Sequence, residues 1–127
     1  MPGTILFEYA TIRVVPRVER EEFFNVGVIL YCASKRFLGS RFLMKEKFFA
    51  LYCPDADPSE YINHLKAIER ICEADPASGP IGKLPVAERF RWLTATRSTI
   101  VQTSRVHPGL CEDPQEMLEH LFAQLVL

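Results

Sequence analysis

The chain has 127 residues and a mass of 14.5 kDa, enough for one hydrophobic core but marginal for two, so residues 1–127 read as a single domain. Hydrophobic residues at 48% and charged residues at 24% are ordinary globular values that exclude disorder, and a net charge of −1 argues against a nucleic-acid binder. No window reaches the run of about 18 apolar residues that a membrane helix needs, and Met1–Tyr9 lacks a secretion-signal pattern, so the expected location is the cytoplasm.

The first predicted element is a strand from Leu6 to Val15, in which Leu6, Ala10, Ile12 and Val14 alternate with more polar positions until Pro16 ends the run. After a charged connection, Phe23–Cys32 is rich in β-branched and aromatic residues and predicts a central strand. The short hydrophilic stretch Ala33–Arg36 then leads into a third strand, Phe37–Met44, most simply as an antiparallel hairpin. Gly27 and Gly39 fall inside these strands, where glycine marks a bulge or a close backbone approach.

Asp57-Pro58-Ser59-Glu60 and Asp113-Pro114-Gln115-Glu116 each combine an aspartate N-cap, a proline at the first helical position and a glutamate three residues after the cap. Both predict helix starts, and Tyr61, Leu65, Ile68 and Cys72, like Leu118, Leu121, Phe122 and Leu125, then recur at helical spacing. Between them Asp75–Leu84 reads as a turn-rich loop, and Pro85 opens a short helix to about Leu93 in which Trp92 supplies core area. Thr99–Ser104 is a fourth strand and Arg105–Glu112 a loop. The fold class is therefore α+β, a mainly antiparallel sheet of about four strands against two or three helices, with the two capped helices expected on one face and the other face partly open.

Charge is unevenly spread. Residues 1–50 carry eight basic and five acidic side chains and residues 81–110 carry five and one, whereas 51–80 and 111–127 are each acidic by four. If the two basic segments meet, they form a patch that attracts anions. The cysteines Cys32, Cys53, Cys72 and Cys111 are widely spaced and His64, His107 and His120 do not cluster, so the expectation is core thiols in a reducing compartment and no metal.

Tyr9-x-x-x-Arg13-x-x-Pro16, Glu22–Val28, Arg36–Gly39 with Arg41-Phe42, Gly79–Gly82, Glu88–Leu93, Arg97–Ser104 and Val106–Gly109 followed by the Asp113-Pro114 helix resemble the bacterial domain of unknown function 3037. The resemblance runs from about Tyr9 to Leu127 and implies one complete domain, with no catalytic residue or cofactor to carry over. Members are often encoded beside HipA-like kinases, so it also implies a kinase-like protein partner.

Arg97-Ser98-Thr99, Gln102 and Ser104, followed by His107, combine a guanidinium fork with hydroxyl and amide groups suited to phosphate or carboxylate, and strand alternation groups Ser98, Gln102 and Ser104. Arg13 and Asn25 join them as ligand-binding candidates, Asn25 because an amide in an apolar strand must find hydrogen bonds. Arg13, Arg97 and His107 are expected to share the open face as a basic concave surface. Cys111, four residues after His107, is the nucleophile–base combination to test, although Pro108 and Gly109 intervene. Two functional readings follow: a non-catalytic protein-interaction module, partnering a HipA-like kinase or a second copy of itself, or an anion-, nucleotide- or phosphate-binding protein or small enzyme using Arg97, Ser98, Gln102 and His107.

Overall fold

A computed structural model describes residues 3–15, 23–95 and 99–127. The predicted candidates Arg97 and Ser98 lie outside the described residues. Five strands, β1 (Ile5–Val14), β2 (Phe24–Cys32), β3 (Phe37–Phe42), β4 (Val101–Thr103) and β5 (His107–Cys111), form one antiparallel sheet in the order β3-β2-β1-β4, with β5 also pairing β1. The hairpin between β2 and β3 closes through a 3-10 turn at Ala33–Lys35, with Arg36 in the left-handed region at φ 49°.

Four α-helices complete the described architecture: α1 (Glu46–Tyr52), α2 (Pro58–Cys72), α3 (Val86–Leu93) and α4 (Pro114–Leu125). The Asp-Pro starts behave as their chemistry dictates. Asp57 Oδ1 accepts the Ser59 N–H at 3.0 Å, and Asp113 Oδ1 accepts those of Gln115 and Glu116 at 2.9 and 3.4 Å. Helix α1 and the 3-10 segment Pro76–Lys83, where a loop is expected, are additions to the sequence reading.

The expectation that both capped helices share one face is overturned. Tyr61, Leu65, Ile71 and Cys72 of α2 pack with Ala10, Ile12, Val14, Ile29 and Tyr31, together with Phe49 of α1 and Phe90 of α3. Leu118 and Leu121 of α4 pack with Phe7, Val28, Leu30 and Cys32, the alternate residues of the same strands. The sheet is therefore covered on both faces, because Val26–Cys32 has no polar side to turn to water.

A bulge sets which residues face which layer. Ile12 pairs with Gly27 but Arg13 pairs with Asn25, so Val26 is the extra residue. Phe24 and Val26 consequently both pack on the α1–α3 side, and Asn25 turns to the α4 side. At Gly27 a Cβ would sit 2.6 Å from Arg41 O. At Gly39 it would lie 3.1 Å from Leu118 Cδ2, so both strand glycines mark close approach.

Two other sequence expectations fail for identifiable reasons. Arg105–Glu112 contains a strand, since β5 lies at the sheet edge, where Pro108 is tolerated, and Gly109 leaves room for the Phe7 ring that lies over it. Trp92 remains 39% exposed, and the buried residue of that turn is Arg89. Its Nη1 donates to Ile71 O at 2.8 Å and Cys72 O at 2.9 Å, and its Nε to Leu84 O at 3.0 Å. One guanidinium thus caps the C-terminus of α2 and fastens α3 to it.

Replacing Arg89 with Met removes a donor from Ile71 O, Cys72 O and Leu84 O, of which Ile71 O keeps the Ala74 N–H. Unfolding in urea is expected to show a loss of about 2–4 kcal/mol. Arg89→Lys should recover only part of it, because an ammonium cannot span the same acceptors as a planar fork; full recovery would show that charge alone matters.

Candidate functional site

Strand pairing brings three of the sequence candidates into one row. Arg13 on the central strand β1 pairs with Asn25 of β2 on one side and Gln102 of β4 on the other, and cross-strand partners share a face. That face is the one on which α4 lies. Asn25 Nδ2 reaches the Leu125 carbonyl at the end of α4, at 3.4 Å, and a cleft of about 220 Å³ opens between Asn25, Leu43, Lys45 and the last turn of α4. The Arg13 guanidinium is laid over the Phe23 ring, with Cζ 4.0 Å from the centroid. Gln102 Nε2 donates to Thr99 O at 2.8 Å, which orients its side-chain carbonyl.

The row is incompletely satisfied. Arg13 Nε, Asn25 Oδ1 and the hydroxyl of Thr11, next to Arg13 on the same face, are buried atoms without a hydrogen-bond partner. Such groups are uncommon in folded proteins and tend to mark a ligand, an ion or strain. The arrangement offers one charged donor with two acceptors close by, a pattern suited to a carboxylate accompanied by an amide N–H.

Other candidates take different places. Ser104 belongs to the framework: its Oγ accepts the Thr11 N–H and donates to Arg105 O, both at 2.9 Å, and its N–H donates to Thr11 O. His107 pairs with Tyr9, and the two rings lie 5.4 Å apart. It is on Arg13's face but four residues away along β1, roughly 13 Å at 3.3 Å per residue. One small anion cannot bridge them. The same spacing separates His107 from Cys111 on β5, too far for a base to take a thiol proton, and His64 and His120 are exposed on their helices.

The thiols are also chemically quiet. Burial raises the Cys53 and Cys111 thiols above their ordinary range, and pushes Cys72 up to about 12 despite the nearby Ser40 hydroxyl and Arg89. The described residues contain no group of three or more His, Cys, Asp or Glu side chains placed to hold a metal ion, and no helix among them is long and apolar enough to cross a membrane.

What sequence reasoning missed is the company Arg13 keeps. Phe23 and Thr11 carry no motif, although Arg13 and Thr11 two positions apart in a strand already share a face. The family model described as a protein of unknown function (DUF3037) matches residues 9–126, and the chain belongs to that family. No curated protein and no solved structure matches it.

The quiet thiols set a pH dependence. Unfolded Cys72 loses its proton near the ordinary value of 9.0 whereas the folded thiol holds it to about 12, so the native state binds more protons in that window. Its stability is expected to fall as pH rises above 9.0. Urea midpoints measured at pH 8 and pH 10 check this, and Cys72→Ala should flatten the difference. Thiol reagents at pH 8 should label the native protein far more slowly than the unfolded chain.

Proposed function

We propose that this member of the unknown-function family 3037 is a protein-binding module that holds an acidic side chain of its partner on the face around Arg13. The single observation behind this reading is the row Asn25, Arg13, Gln102 with unpartnered buried atoms at Arg13 Nε, Asn25 Oδ1 and Thr11 Oγ1. Each such atom costs on the order of 1–3 kcal/mol while unpaired, and a partner that supplies the missing groups recovers that cost on binding.

A carboxylate answers Arg13, because a guanidinium anchored over the Phe23 ring, with Cζ 4.0 Å from its centroid, offers a planar fork of donors. A neighbouring backbone N–H answers Asn25 Oδ1 or the Thr11 hydroxyl. A peptide segment brings both groups at once, which favours a protein partner over a small inorganic anion. His107, its ring tilted against Tyr9 at the far end of the same face, would extend the contact surface. What supports a cytoplasmic setting is the set of four free, buried cysteines. The partner to try first is the HipA-like kinase that the family's gene neighbourhood implies.

Co-expression with a HipA-like kinase, followed by affinity purification, tests the reading. The wild-type domain should retain the kinase, and Arg13→Ala should reduce retention at least tenfold while leaving the urea midpoint within about 1 kcal/mol of wild type. Equal retention by both would remove Arg13 from the interface. Stabilisation of the wild type by inorganic phosphate alone, abolished in Arg13→Ala, would instead favour a small-anion site.

A further inference from the structure

The outer side of β3 is a second surface with unanswered polar groups, and here they belong to the backbone. Leu43 N–H donates to Val26 O at 2.7 Å, toward β2. Strand alternation turns the N–H and C=O of Arg41, Gly39 and Phe37 the same way and those of Leu38, Ser40 and Phe42 outward. Since β3 is the last strand on its side of the sheet, no strand among the described residues meets them. An uncovered edge of this length is a template for strand addition.

The edge does not lie on a flat rim. It is recessed in a cleft of about 210 Å³ between α2 and α4, whose lining includes Glu69 and Cys72 of α2, the C-cap residue Glu73 and Leu118 of α4. The two layers offer different chemistry to an added strand. On the α2 side Glu69 and Glu73, one helical turn apart, are carboxylates without a cation in the cleft lining. On the α4 side Gly39 contributes no side chain, which leaves Phe37 and Leu118 as an apolar wall.

The opposite edge is a poorer template. Strand β4 has three residues, the chain jogs at residues 104–106, and Pro108 interrupts the donors of β5.

We propose that the outer edge of β3 is a docking strand for an extended segment of a partner protein in which basic residues alternate with apolar ones. The added strand pairs with Leu38, Ser40 and Phe42, turns its basic side chains to Glu69 and Glu73, and lays its apolar ones toward Phe37 and Leu118. This surface is separate from the Arg13 face and rests on backbone geometry and acidic charge, so either assignment can fail without the other.

The test uses the intact chain and a fluorescein-labelled eight-residue peptide alternating lysine and valine, followed by fluorescence polarisation. Saturable binding is expected. N-methylation of the peptide at one alternate set of residues should weaken binding at least tenfold, and methylation of the other set should leave it within twofold, because only one set of N–H groups faces β3. Glu69→Lys/Glu73→Lys and Ser40→Pro should each weaken binding at least tenfold; circular dichroism establishes that the variants fold, and the methylated peptides decide the matter if they do not. Absence of saturable binding, or equal losses from the two methylation patterns, overturns the proposal. So does a dimer of the chain alone in sedimentation that Ser40→Pro dissociates, since the edge would then serve a second copy.

Discussion

Seven consecutive buried residues, Val26–Cys32 of β2, leave the central strand without a face for water, and the rest of the architecture answers that constraint. A strand of this kind needs apolar cover above and below, so the amphipathic helices must divide between the two sides. Helix α2, with α1 and α3, takes the side of Ile29 and Tyr31, and α4 takes the side of Val28 and Leu30. Each helix end must then be closed where it meets the sheet or its neighbours. The Asp-Pro pairs close the starts of α2 and α4, and Arg89 closes the end of α2.

Much of this was legible in the residues. Strand period, the hydrophilic four-residue connection and the Asp-Pro capping signals are local, and they located β1, β2, β3, α2 and α4 to within a residue or two. The two-sided burial of β2 was legible too, since an unbroken apolar run carries that meaning, but two helices with similar caps invited the reading that they do similar work. The errors fell where tertiary context outweighs local preference. Pro108 and Gly109 look like loop residues because most strands exclude them, yet an edge position frees the proline and the Phe7 ring fills the space above the glycine. Trp92 is left partly exposed and Arg89 is buried because a buried helix end needs donors more than it needs another aromatic ring.

The candidate site divides along the same line. That Arg13, Asn25 and Gln102 are neighbours depends on register, a long-range property that no single strand displays. Local alternation did group Gln102 with Ser104, but strand pairing gave the two residues separate work: Ser104 joins β1 to the break between β4 and β5, while Gln102 flanks the guanidinium. The two surfaces argued for binding also carry opposite electrostatic character. One is organised around an arginine and the other around two glutamates, so a protein that is nearly neutral as a whole still carries locally opposite charge.

The extra residue at Val26 puts the first part of β2 out of phase with the remainder, and this makes the bulge itself more consequential than the side chain that occupies it. Were Val26 paired opposite Arg13 in a regular ladder, Asn25 would fall opposite Val14, carrying a carboxamide into the layer now occupied by Phe24 and Val26, and the polar row beside Arg13 would lose its first member. A change of aliphatic side chain at residue 26 disturbs only local packing, whereas losing the bulge with the residue retained reassigns inside and outside for every residue back to the start of the strand. The reading frame of the fold, in that sense, is kept at a single position.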